Sequence, residues 1–332
     1  MSMRINTNNP EVLNLMSDAM WELDRYKETK QLEQLISAND KFEKAIALDP
    51  KCMRCLFYGA MVNDLVGKPK DAVEKLERLL SENPPSSDEV EYNLAVAYYH
   101  RYSHRWLEKA DEHFRAVLDK SENPTLRLMA HAGLAQTHAM WIIQRDPFHP
   151  DEGAAREHFT RSEEEHNLVI AKLSSLENLD EVTSSEIRWT VLNARGMSLM
   201  YYTDYFENQE EKILKLEEAL KNLRLADRHS PKNWANYCDL GSVHMRLGYW
   251  RGDESAFQMA LQYLTEVVDS LRPKYGFALY EIARVFRLLG EFEKAINWFD
   301  AALQIDPDYR DVGDGTVNRE KDRAAQGDTS FP

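Results

Sequence analysis

Helical stretches of this chain end on proline at intervals close to 34 residues. "ALDP" closes at Pro50 and "SENPP" at Pro84, 34 positions later, while Pro231 and Pro307 lie 76 apart, two such intervals plus about eight inserted residues. Proline lacks an amide hydrogen and clashes with a preceding helical turn, so its recurrence after apolar-periodic runs marks corners between helices. Between the corners, "DAVEKLERLL", "EEALKNLRLA" and "FEKAINWFDAALQI" space apolar residues three and four apart, the period of an amphipathic helix. With 13 glycines, 12 prolines and almost no hairpin dipeptides between alternating apolar runs, the chain reads as nearly all helix. A helix pair repeated at this interval has a second apolar face that it cannot bury alone, so neighbours must stack.

Residues 276–309 carry the clearest copy. Leu279, Ile282, Ala283 and Phe286 sit on a first helix, Gly290 turns the corner in "LLGE", and Ala295, Phe299, Ala302 and Pro307 follow on a second. Residues 53–84 repeat this with Leu56, Gly59, Ala60, Gly67, Ala72, Leu76, Leu79 and Pro84, with Asn63 standing where an aromatic residue is expected. Weaker copies run through Ala38, Phe42, Ala45 and Pro50; Leu94, Ala95, Tyr98, Ala110, Phe114 and Pro124; Leu134, Ala135, His138, Ala155 and Phe159; and Leu192, Gly196, Leu199, Ala219, Leu223 and Pro231. Another keeps Tyr237, Leu240, Gly241, His244 and Gly248 before "YWRGDESAFQ" interrupts it. The pattern resembles the tetratricopeptide repeat, W-x2-L-G-x2-Y, then A-x3-F, then proline. The resemblance implies an all-α, right-handed superhelical solenoid of antiparallel helix hairpins with about seven repeats over residues 11–309. Residues 1–10 are expected to be a flexible leader. Residues 310–332 are polar and are expected to form a short capping helix followed by disorder.

Small residues at Ala60, Ala95, Ala135, Gly196, Gly241 and Ala283 are expected to let the two helices of a hairpin approach closely. Cys52 and Cys55, three apart, fall where one repeat turns into the next, and packing is the expected role. The pair lacks the βαβ setting of a redox motif, the following His of a haem attachment and the second pair of a four-ligand zinc site. A helix N-terminus lowers thiol pKa, which keeps a reactive role open. His100 and His104 share a helical face but lack the Glu of H-E-x-x-H, and His131 and His138 fall in large first-helix slots. No phosphate loop, G-x-S-x-G elbow or catalytic triad pattern is present, so neither catalytic residue, metal nor cofactor is predicted.

In the resembling family, first helices line a concave surface through the second, fifth, ninth and twelfth repeat positions. Carried onto this chain, these are Arg54, Phe57, Met61 and Asp64; Glu89, Tyr92 and Tyr99; Met129 and Gln136; Asn193, Met197 and Met200; Met245; and Phe277, Tyr280, Arg284 and Arg287. Thioethers and aromatic faces suit an amphipathic helix or extended peptide of a partner protein. The Lys/Asn/Asn/Lys/Arg set with which some members grip a C-terminal carboxylate is incomplete, although Arg284, Arg287 and Asn93 supply parts of it. The implied function is a non-catalytic scaffold or adaptor. The alternative is a regulatory or assembly subunit that docks by an outer face, with its groove filled by its own tail. That face would be segment 151–186, where ten acidic residues stand against three basic ones.

Charge excludes one class of partner. The formal net charge of -15 repels a phosphate backbone, so nucleic acid is not expected. The opening "MSMRINTNNPEV" has no apolar core of a signal peptide, no run is long enough to span a membrane, and three cysteines make no disulfide framework. A cytoplasmic setting is the simplest expectation.

Overall fold

The computed structural model describes residues 6–82, 84, 86–101, 104–143, 151–175, 179–273, 275–305 and 316–331. Pro307, the side chain of His104 and Glu177, one of the ten acids of segment 151–186, lie outside the described residues. Fifteen α-helices and no strand occur among those described, and consecutive helices pack in pairs. The chain divides into two compact units, Met1–Gly133 and Leu134–Pro332.

The first unit contains α1 (Pro10–Thr29), α2 (Leu32–Leu48), α3 (Met53–Leu65), α4 (Pro69–Ser81), α5 (Ser87–Tyr99), α6 (His104–Lys120) and the first half of α7 (Pro124–Ile143). Asn9 starts α1 by accepting a hydrogen bond from the Glu11 amide at 3.0 Å, with Pro10 at the first helical position. Val12, Met16, Ala19 and Leu23 of α1 meet Leu35, Ala38, Phe42 and Ala45 of α2, as the i, i+3/i+4 pattern requires. Asn63 explains its own exception. Fully buried, its Nδ2 donates to Asn39 Oδ1 at 2.6 Å and to Glu43 Oε1 at 3.1 Å, and its Oδ1 accepts from Lys75 Nζ at 2.7 Å, so a satisfied amide replaces the ring.

The leader is tied down from residue 6. Asn6 accepts from the Met53 amide at 2.8 Å and donates to the Lys51 carbonyl at 2.6 Å. The two neighbouring cysteines pack in the core of the first unit, as expected, and Cys52 and Cys55 are in addition joined by a disulfide, which was not expected. Cys52 is the N-cap of α3 and its Sγ accepts from the Cys55 amide at 3.2 Å. The first turn of a helix brings positions three apart together, here with 5.3 Å between Cα atoms. Both side chains are buried.

The second unit holds the rest of α7, then α8 (Glu152–Leu173), α9 (Glu181–Tyr202), α10 (Gln209–His229), α11 (Trp234–Arg251), α12 (Glu254–Glu266), α13 (Gly276–Leu288), α14 (Phe292–Ile305) and α15 (Thr316–Ala325). Lengths account for the weak repeats: α8 and α9 have 22 residues each, against 13 in α3 and α4, so added helical turns shift the consensus positions. The "YWRGDESAFQ" interruption is likewise extra length. α11 runs on to Arg251, Gly252 takes the left-handed φ of 65°, and Asp253 caps α12 by accepting from the Ser255 amide at 2.9 Å.

Helices approach closely at Gly241, as they do at Gly133 and Gly196. A Cβ built on Gly241 would lie 2.5 Å from Leu264 Cγ on α12. Gly241→Ala should therefore lower stability by about 1–3 kcal/mol through overpacking, despite alanine's better helix propensity. An unchanged urea midpoint would show that Leu264 moves aside without penalty.

Candidate functional site

First helices of the second unit touch in succession, α9 against α11, α11 against α13 and α13 against α15, forming one face. Its floor is a buried polar network. Asn193 Nδ2 donates to Asp239 Oδ2 at 2.8 Å and to Asn236 Oδ1 at 3.3 Å, and Asn193 Oδ1 accepts from Gln136 Nε2 at 3.2 Å. Ser242 donates to Glu281 at 2.9 Å, and the other oxygen of Glu281 pairs with Arg284 at 2.9 Å. Arg246 makes a two-pronged pair with Asp204, one arm at 3.1 Å. Burial pushes the Asp239 carboxyl up to about 7; the bond from Asn193 opposes this and the Glu281 charge adds to it.

Above this floor the chain's own C-terminal segment is seated. Arg287 is fully buried and ion-pairs with Glu320 of α15 at 2.7 Å. Its Nη1 donates to the carbonyls of Asp328 at 2.7 Å and Ser330 at 2.9 Å. Gly327 turns the chain at a φ of 73°, and Arg323 clasps the returning segment, donating to Asp328 Oδ2 and to the Ser330 carbonyl, both at 2.7 Å. Hydrogen bonds from Ser330, then Arg323, hold the Asp328 carboxyl well below the usual carboxylate range. Phe331 ends the run with its ring between two guanidiniums, Arg246 at 5.0 Å and Arg284 at 5.2 Å. Tyr249 and Trp250 form the collar, with centroids 5.3 and 6.0 Å from the Phe331 ring. The disorder expected after the capping helix is thus replaced by an ordered return: buried Arg287 needs acceptors, and residues 320–330 supply them.

The other expected groove residues fall into two groups. Arg54, Met61, Asp64, Tyr92 and Phe277 are partly exposed. Met197 and Met200 pack with Leu199, Leu216 and Leu223, and Met245 packs with Phe257 and Leu264; all three are buried. These thioethers are core filler, because an α-helix sandwiched between two neighbours has too narrow a free stripe for four positions per repeat. Phe57, Tyr99 and Tyr280 are buried as well, as are Arg284 and Arg287. Asn93 bonds the Glu89 carbonyl of its own helix at 2.8 Å.

Residues that the sequence reading passed over complete the site: Arg246, Tyr249, Trp250, Glu281 and the 328–331 segment. A signal was present, since Phe331 is the one aromatic residue in the polar stretch 310–332. Elsewhere, His100 pairs with Asp64 at 2.7 Å and His138 Nδ1 lies 3.2 Å from His158 Nδ1. No cluster of three His, Cys, Asp or Glu suited to a metal occurs among the described residues. A cleft of about 660 Å³ lies apart from the seated segment, lined by Lys221, Arg224, Arg228 and His244, whose imidazole burial pushes down to about 4.

Several acids of segment 151–186 have local structural roles. Asp151 and Asp180 cap α8 and α9, and Glu152, Glu157 and Glu163 pair with Arg156, Arg161 and Arg195. No helix among the described residues is long and apolar enough to cross a membrane.

Residues 277–309 match the model of a family described as Tetratricopeptide repeat. The comparison with curated proteins gives no match. Among solved structures, the chain is similar to a tetratricopeptide repeat protein from Parabacteroides merdae, at 15% identity and a TM-score of 0.46, covering 96% of this chain and 100% of that one. It is also similar to a thermophilic TPR protein of Thermus thermophilus, at 16% identity and a TM-score of 0.48, covering 72% and 99%. A third, the TPR2AB-domain:pHSP90-complex of yeast Sti1, has 13% identity and a TM-score of 0.29 and covers 95% and 97%.

Proposed function

We propose that this chain, a tetratricopeptide-repeat protein, is a non-catalytic scaffold that recruits another protein by holding an extended segment of it on the face of α11 and α13. The observation that carries this reading is the seated 328–331 segment, because it pairs backbone carbonyls with Arg287 and an aromatic ring with two guanidiniums. Stacked hairpins make the face without the partner, so binding need order only the incoming segment. Local pairing and capping among the acids of 151–186 favour this face over acidic docking.

Affinity capture tests the reading. Wild-type protein and a Tyr249→Ala, Trp250→Ala variant serve as baits in an extract, with co-purifying proteins identified by mass spectrometry. A protein retained by wild type should fall at least tenfold with the variant, while the variant's far-UV circular dichroism stays unchanged. Equal recovery by both baits would place recruitment on another surface. Raised salt should weaken capture only modestly, because the guanidiniums are buried and already paired. Phe57 and Met61 are poor sites for such a test, since Phe57 is buried and its truncation would loosen the core of the first unit.

A further inference from the structure

Within that recruiting role, on which this inference rests, we propose that residues 326–331 act as a cis-bound ligand of the α11–α13 face, so that a partner enters by displacing them with a segment of the same chemistry. The chemistry can be read from what holds the tail. Four guanidiniums, Arg246, Arg284, Arg287 and Arg323, converge on it. Three carboxylates, Asp204, Glu281 and Glu320, pair with them from the protein side. One positive charge is left over, and Asp328 answers it from the tail. Three residues further on, Phe331 fills the space between Arg246, Arg284, Tyr249 and Trp250. The complementary partner segment therefore carries one acid that can turn back on its own backbone, as Asp328 accepts from the Ser330 amide at 2.8 Å, and presents an aromatic ring three residues after it.

Displacement is geometrically simple. Gln326, Gly327, Thr329 and Ser330 are exposed, and only Asp328 and Phe331 are partly buried, so the tail lies on the face as a strap and is not threaded beneath a helix. Most of its side-chain anchorage is that one ring and that one carboxylate. Arg323 belongs to α15, which is held separately through Glu320 and Arg287, so the clasp stays in place for an incoming segment when residues 326–331 leave. Because the tail is tethered, its effective concentration at the face is about millimolar, and a partner of the same chemistry meets steep competition until the tail is released.

The test uses full-length chains and a fluorescein-labelled peptide with the sequence of residues 326–332. Fluorescence anisotropy should give the Phe331→Ala chain at least tenfold tighter peptide binding than wild type. Asp328→Ala should show a smaller gain in the same direction. A peptide in which the phenylalanine is alanine should bind neither chain. Equal binding by wild type and Phe331→Ala would overturn the competition, and absence of binding to either chain would overturn the face as a site for this chemistry. In both cases a captured protein that still depends on Tyr249 and Trp250 leaves the recruiting role standing, whereas loss of that dependence together with intact peptide binding removes the role alone.

Discussion

Arg287→Ala should destabilise the second unit by about 3–5 kcal/mol, the usual consequence of breaking a buried ion pair from one side. The side chain has no exposed surface, and its partner Glu320 is only 3% exposed, so the remaining carboxylate keeps just Arg323, at 3.2 Å, and gains no water in place of the lost cation. The Asp328 carbonyl loses its donor at the same time, and the Ser330 carbonyl keeps only Arg323. Segment 316–331 should then detach, seen as rapid hydrogen exchange of its amides, and the urea midpoint of the second unit should fall. Replacing both partners by apolar residues, Arg287→Met with Glu320→Leu, should recover much of the loss, because neither member of the pair is left buried without the other. A loss below about 1 kcal/mol for Arg287→Ala would mean that α15 does not rest on this pair.

Asp239→Asn should stabilise the protein at pH 8 and leave it nearly unchanged at pH 4. The Asp239 carboxyl lies near pH 7 in the folded chain against an ordinary value of 3.8, because burial and the neighbouring Glu281 oppose its charge more than Asn193 supports it. Between those values the folded chain holds a proton that the unfolded chain has released, so stability falls as pH rises from about 4 to about 7 and stays low above it. A separation of about three pH units, at about 1.36 kcal/mol each, sets an upper bound of about 4 kcal/mol. Asparagine keeps an oxygen to accept from Asn193 and cannot ionise, so the variant should lack this slope. Urea unfolding at a series of pH values measures it, and parallel curves for wild type and variant would show that Asp239 ionises in the folded chain without penalty.

How much of this was legible depended on the kind of residue. Leu279, Ile282, Ala283, Ala295, Phe299 and Ala302 are buried as the periodicity of 276–309 requires. The small slots at Ala60, Gly196 and Gly241 lie where helices press together, Gly241 against Leu264 and Gly196 against Leu223. Met197, Met200 and Met245 misled, since the same spacing describes a side chain facing an open groove and one facing the next hairpin. Cys52 and Cys55 misled differently, because a three-residue spacing brings two sulfurs near each other without stating whether they bond. Asn63 was the informative exception: a polar residue in an apolar slot announced a buried network whose members, Asn39, Glu43 and Lys75, come from three different helical turns.

By itself, the sequence determined the all-helical class, the hairpin unit and the residues that press helices together. These follow from near-neighbour rules, helical periodicity and the exclusion of proline from helix interiors, which act within a few tens of residues. The tertiary structure alone decided which first-helix residues remain open and that the polar tail returns to α11 and α13. Burial of Arg287 depends on Glu320, Asp328 and Ser330, up to 43 residues away. A guanidinium enters a core only where acceptors from distant chain converge on it, and no local pattern encodes that convergence.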